Sequence, residues 1–250
     1  MDVDYTEISE SYDKHRSYSR DLIEAVIEFG PIKKGMKALE LGCGTGNAII
    51  GLKEILNIDA FGVDNSRRML RRARKKDLNV ICSDIDSQPL PFCDGCFHIV
   101  LLVYVIHQIG DLPYLLEEIA RVLGDDGALL VLTSSHEQIE QYHPIVGQFF
   151  PRAVDIEKAR FQDIAVLCNL LESKGFRTIK KMETLVERTK LDREYLKKVK
   201  DRYVSTFHLM SVKEFEIGVT RLEEFIEKKS QLEPVEWRGT LVCARKNNSC

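Results

Sequence analysis

Short apolar runs alternate with amphipathic stretches over the first two thirds of the chain. Runs at Met36–Leu41, Ala60–Val63, Val80–Cys82, His98–Val103 and Ala128–Thr133 have the length and aliphatic content of buried strands. Around them, apolar residues recur at helical spacing. Leu22, Ile23, Val26 and Ile27 form a stripe within Arg20–Phe29, which Gly30-Pro31 ends. Asp111 can cap a second helix carrying Leu112, Leu115, Leu116, Ile119 and Leu123 up to Gly124. A third carries Phe161, Ile164, Leu167, Cys168 and Leu171 and stops at Gly175. Strand and helix in alternation predict an α/β fold, a parallel sheet with helices on both faces.

The alternation loosens after about Ser134. Gln138 to Arg160, with its HPIVGQFFP segment, reads as a loop or short broken helices, and Phe176–Lys180 reads as a strand. Residues 192–229 read as helical, with Ser211-x-x-Glu214 as a capping box, and Glu236–Arg245 reads as a closing strand. No repeat or linker divides the chain. The expected organisation is one domain over 1–250, entered by a helical segment at 1–33 and roofed by a mostly helical cover from 134–160 and 184–232.

Composition adds limits rather than a function. With 44% hydrophobic and 30% charged residues the chain reads as globular. Its longest apolar run, Ile99–Ile106, is far below the roughly 20 residues a membrane helix needs. The acidic start MDVDYTEISE has no apolar core of a signal peptide, so a cytoplasmic location is expected and no membrane partner. The 7 cysteines are odd in number and scattered, which suits a reducing compartment. Cys93-x-x-Cys96 lacks a second pair or a histidine pair, so no metal site is expected. Arg67–Lys76, RRMLRRARKK, departs from the net charge of −3, but Met69, Leu70 and Ala73 give it an inner face and make the charges a solvated one.

The chemistry is concentrated at LELGCGTG, residues 39–46. A strand ending in Gly42, Gly44 and Gly46 and opening a helix brings bare backbone and helix N–H groups to a ligand. A dinucleotide turn would want its last glycine where Asn47 stands. Glu40, before the turn, would repel a pyrophosphate and attract an ammonium and a sulfonium. Asp64 closes the second strand 22 residues after Gly42, where a carboxylate accepts from ribose hydroxyls. Asp84, after the third strand, offers an acceptor to an adenine amine.

With LELGCGTGN, FGVDNS, CSDIDSQPLPF, FHIVLLVYVIHQI and RVLGDDGALLVLT in this order, the chain resembles the class I S-adenosylmethionine (SAM) dependent methyltransferases. More narrowly it is similar to the small-molecule branch that includes quinone-biosynthesis methyltransferases, in which a YDKHR-like segment precedes the fold. The resemblance implies a Rossmann-like, doubly wound seven-stranded sheet with the last strand antiparallel. It implies SAM as cofactor and S-adenosylhomocysteine as product. By that resemblance Gly42, Cys43, Gly44 and Gly46 meet the methionine moiety and Asp64 the ribose. Asn65 and Met69 flank the adenine, Asp84 and Ile85 hold its edge, and Val103 lies under the sulfonium. Tyr12 and His15 would fold over the cofactor and contribute to the acceptor pocket.

His107, ending the fourth strand, is the candidate general base, and His136 and His143 are candidates for the acceptor pocket. The expected partner is a small-molecule acceptor. Nucleic-acid bases are disfavoured because LVYVIHQ replaces a proline-rich NPPY-like motif and no Pro-Cys dipeptide exists. Two other readings share much of this pattern: a nicotinamide-dependent oxidoreductase and a non-catalytic SAM-binding regulator. The oligomeric state is not readable.

Overall fold

A computed structural model describes residue 13 and residues 18–142, 144–228 and 234–247. Helix α1 (Arg20–Phe29) leads into β1 (Lys37–Leu41), α2 (Asn47–Leu56), β2 (Asp59–Asp64), α3 (Arg67–Lys75), β3 (Asn79–Cys82) and β4 (Phe97–Val103). After a 3-10 turn at Ile106–Gln108 come α4 (Leu112–Val122), β5 (Leu123–Thr133), α5 (His136–Tyr142), α6 (Pro144–Phe149), α7 (Pro151–Arg160) and α8 (Ile164–Ser173). The chain then runs through β6 (Phe176–Thr189), α9 (Arg193–Lys200), α10 (Ser205–His208), α11 (Val212–Lys228) and β7 (Val235–Lys246).

The strands form one seven-stranded sheet in the order β3-β2-β1-β4-β5-β7-β6. Pairings from β3 through β5 are parallel, and β7 runs antiparallel to both β5 and β6. Alternation along the strands builds two cores. Leu39, Val100, Leu102 and Leu129 face α4 and α8, which bring Leu115, Ile119, Leu167 and Leu171. Ala38, Ile99, Leu101 and Leu130 face α1 and α2, which bring Leu22, Val26, Ile49 and Leu52. A third apolar cluster lies among α6, α7 and α9 to α11, around Phe150, Tyr195, Phe207, Phe215 and Leu222.

Two segments depart from expectation. Residues 184–189 belong to β6 rather than to a helical cover, since pairing with β7 continues from Thr184↔Gly239 to Thr189↔Val235. The long β7 partner supplies the backbone bonds that overrule the charged composition of this edge. Helix α4 ends at Val122 because Leu123 already pairs with Phe97 across β5 and β4. The stretch 134–160 does carry short broken helices, α5 to α7, while residues 229–232 of the expected cover lie outside the described ones. Among the described residues no helix is long and apolar enough to cross a membrane.

Candidate cofactor and acceptor site

The C-terminal ends of the parallel strands share one edge of the sheet, where ligands bind in open α/β folds. Gly42, Gly44 and Gly46 all have left-handed backbone, with φ of 66°, 54° and 78°. A Cβ on Gly42 would lie 2.4 Å from Val105, so the turn is closed by packing as well as by its dihedrals.

Asp64 completes the turn. One carboxylate oxygen accepts from the Gly44 N–H and the other from the Ser66 N–H, both at 2.8 Å. Each oxygen keeps a lone pair, so the half-buried carboxylate retains capacity for two hydroxyl donors. Burial raises its pKa, opposed by those two N–H groups.

Glu40 lies beneath the turn, only 3% exposed, and accepts from the Ile49 N–H in the first turn of α2. Burial pushes its carboxyl up to about 8 despite the Ile49 bond, and the charge of Asp64 adds to the rise. The carboxyl is therefore mostly protonated at neutral pH, and its electrostatic pull on a cation is weak until a cation draws it into the charged form. Cys43 is buried, and a Cβ on Gly62 would sit 2.6 Å from its sulfur. Burial, then Glu40 and Asp64, drive its thiol well up, so it acts as a small packed side chain and not a nucleophile.

The remaining expected cofactor residues lie on the segments from β2 to the end of β4. Asn65 is exposed just past Asp64, whereas Met69 is 2% exposed on the inner face of α3. Asp84 follows β3, and its oxygens accept from the Asp86 N–H at 3.0 Å and the Ser87 hydroxyl at 2.6 Å, a local turn cap. Ile85 beside it is buried in the α4-side core. Val103 is half-buried at the end of β4, on the wall of an apolar crevice that Tyr18, Leu22, Val26, Ala48 and Leu241 also line.

His107 stands in the 3-10 turn after β4, its ring stacked on Phe161. His136, first residue of α5, has Nε2 2.7 Å from the Phe161 carbonyl oxygen. Both histidines thus meet at Phe161, the residue that follows α7, and His107 does not line the crevice beside Val103. Tyr12, His15 and His143 lie outside the described residues. Among the described residues no group of three or more His, Cys, Asp or Glu is arranged to hold a metal.

One cluster was not legible in the sequence. Asp13, from the segment that suggested Tyr12 and His15, accepts from Thr45 Oγ1 at 2.6 Å and Lys76 Nζ at 2.9 Å, with Arg72 at 3.4 Å. Lys76 Nζ also donates to the Thr45 carbonyl and to Asn47 Oδ1. Burial of Asp13 acts against ionisation, but the Thr45 and Lys76 bonds and the ammonium charge outweigh it, so its carboxyl is held below the ordinary value. A basic residue at the end of α3 therefore ties the entry segment to the glycine turn.

Residues 39–131 match a family described as a methyltransferase domain. Demethylmenaquinone methyltransferase of Staphylococcus aureus strain MRSA252 is 28% identical over 145 residues, 56% of this chain and 58% of that protein. The chain thus spans little more than half the length of the curated relatives it matches. Among solved structures, a protein of Anabaena variabilis described as a methyltransferase from an antibiotic biosynthesis pathway aligns with TM-score 0.71 at 20% identity, over 89% of this chain and 96% of that one. The [4+2]-cyclase SpnF aligns with TM-score 0.64 at 18% identity, over 98% of this chain and 94% of that one. At these identities the likeness establishes a shared fold.

Proposed function

We propose that this chain, whose residues 39–131 match a methyltransferase domain, is a class I SAM-dependent methyltransferase that transfers the methyl group of SAM to a small-molecule acceptor, in the cytoplasm, by in-line displacement. The observation that carries the reading is the Asp64 carboxylate, fixed by the Gly44 and Ser66 N–H groups with a lone pair spare on each oxygen. That geometry fits a ribose diol. A cationic end would favour the charged form of the buried, mostly protonated Glu40 behind the turn, and a phosphate would not.

Bound SAM supplies a methyl group already activated by its sulfonium. What this chain contributes is alignment and exclusion of water. The glycine turn admits the amino-acid end, with Gly42, Cys43, Gly44 and Gly46 presenting backbone to it. Asp64 takes the ribose, Asn65 and Met69 flank the adenine, and Asp84 with Ile85 bounds its edge. Val103 supports the region of the methyl group. His107, held on Phe161, is the candidate to take a proton from an acceptor that is protonated at neutral pH. His136 supports the same wall through the Phe161 carbonyl. Tyr12, His15 and His143 remain candidates for the acceptor pocket.

A fold shared with a cyclase keeps a SAM-binding role without methyl transfer as the second reading. Incubation with isotopically methyl-labelled SAM and a panel of hydroxyl- and amine-bearing metabolites separates the two. A labelled product accompanied by S-adenosylhomocysteine is expected. Stoichiometric SAM binding with no turnover across the panel would favour the non-catalytic reading.

A further inference from the structure

Tyr104 follows Val103 with φ of 50°, a left-handed conformation that an aromatic residue seldom takes. Its N–H still donates to the Leu132 carbonyl at 2.9 Å, so the break comes at the last rung of the β4–β5 ladder. Along β4, Ile99, Leu101 and Val103 face the α1 and α2 side, while Val100 and Leu102 face the other. Strict alternation would send Tyr104 after Leu102. Instead it packs on the same side as Val103, together with Trp237 and Met182.

The turned ring lies 5.0 Å from that of Trp237, tilted by 41°, and its hydroxyl is 3.5 Å from Ser134 Oγ. Room for it comes from Gly239 of β7, whose Cβ, if present, would stand 2.4 Å from the phenol oxygen. Three strand ends thus combine to hold one aromatic wall next to Val103. Two half-buried rings beside an aliphatic crevice recognise a flat π-system by stacking and edge contacts.

We propose that Tyr104 is an acceptor-positioning residue, which with Trp237 forms the wall that takes a planar aromatic acceptor beside Val103. This rests on the methyl-transfer reading above. Trp237 is the single tryptophan of the chain, so its emission reports on the wall directly.

The test titrates the protein saturated with S-adenosylhomocysteine with 1-naphthol, following Trp237 fluorescence, and measures S-adenosylhomocysteine affinity separately by calorimetry. Wild type and Tyr104→Phe are expected to give saturable responses with dissociation constants within about two-fold of each other. Tyr104→Asn, which suits the left-handed backbone but lacks the ring, is expected to bind the probe about ten-fold more weakly with cofactor affinity within about two-fold. Gly239→Ala keeps the tyrosine but displaces its phenol, and is expected to weaken the probe in the same direction. It carries the test if the asparagine variant does not fold. Unchanged probe affinity in Tyr104→Asn, or in Gly239→Ala where the asparagine variant does not fold, overturns the assignment, as does an equal loss of probe and cofactor. So does a wild type that binds S-adenosylhomocysteine but gives no saturable response. A wild type that binds no S-adenosylhomocysteine overturns the methyltransferase reading itself and this inference with it.

Discussion

The imidazole of His107 lies flat on the ring of Phe161, with centroids 4.0 Å apart and planes 12° from parallel. The residue that follows α7 thereby fixes a histidine in the 3-10 turn after β4. Phe161 caps the C-terminus of α7, is 8% exposed, and binds His136 through its carbonyl. Phe161→Ala is expected to lower unfolding free energy by about 3 kcal/mol, as buried aromatic truncations do. A double-mutant cycle with His107→Ala should give a coupling of about 0.5–1.5 kcal/mol in urea unfolding. Simple additivity would show that the stack carries no energy.

Asp64→Ala removes both the anchor of Gly44 and the expected ribose acceptor. A loss of about 1.5–3 kcal/mol in SAM affinity is expected by calorimetry, the usual range for a hydrogen bond to a charged group. Wild-type affinity in a folded variant would place the ribose elsewhere.

The raised Glu40 carboxyl ties stability to pH. With a folded value of about 8 against an ordinary 4.5, the native protein keeps a proton that the unfolded chain releases. Stability is therefore lost as pH climbs between those values, at up to about 1.4 kcal/mol per unit. Glu40→Gln retains an acceptor for Ile49 and removes the titration. Its urea midpoint should be flatter than that of wild type between about pH 6 and 8, and parallel profiles would contradict the buried, proton-holding carboxyl.

Lys76→Met keeps the apolar stem but leaves Asp13, the Thr45 carbonyl and Asn47 Oδ1 without their ammonium donor. The Lys76 side chain is 31% exposed, so a cost of about 1 kcal/mol is expected, smaller at high salt. The lowered Asp13 carboxyl gives stability that is present above its ordinary 3.8 and lost as pH falls through the folded value. A salt-independent midpoint equal to wild type would dismiss the clamp.

The central sheet and the cofactor turn could be read from the chain because both are local. Apolar runs marked β1, β2, β4 and β5, and the glycines with Glu40 and Asp64 announced one ligand edge. Edge strand β6 was shortened in that reading because RTIKKMETLVER carries charges, and only pairing with β7 makes it a strand. Asp13 and Lys76 are 63 residues apart, so their bond left no trace in either segment. Phe161 read as the start of an apolar helical stripe, whereas it ends α7 and its ring meets His107. Nothing in LVYVIHQ marks Tyr104 as left-handed, since its conformation depends on the space left by Gly239 on a distant strand.

Calorimetric titration of the protein with SAM, S-adenosylhomocysteine and NAD tests the cofactor assignment on which everything else depends. Saturable binding of SAM and S-adenosylhomocysteine with no heat from NAD is expected. NAD binding with no response to SAM would contradict it.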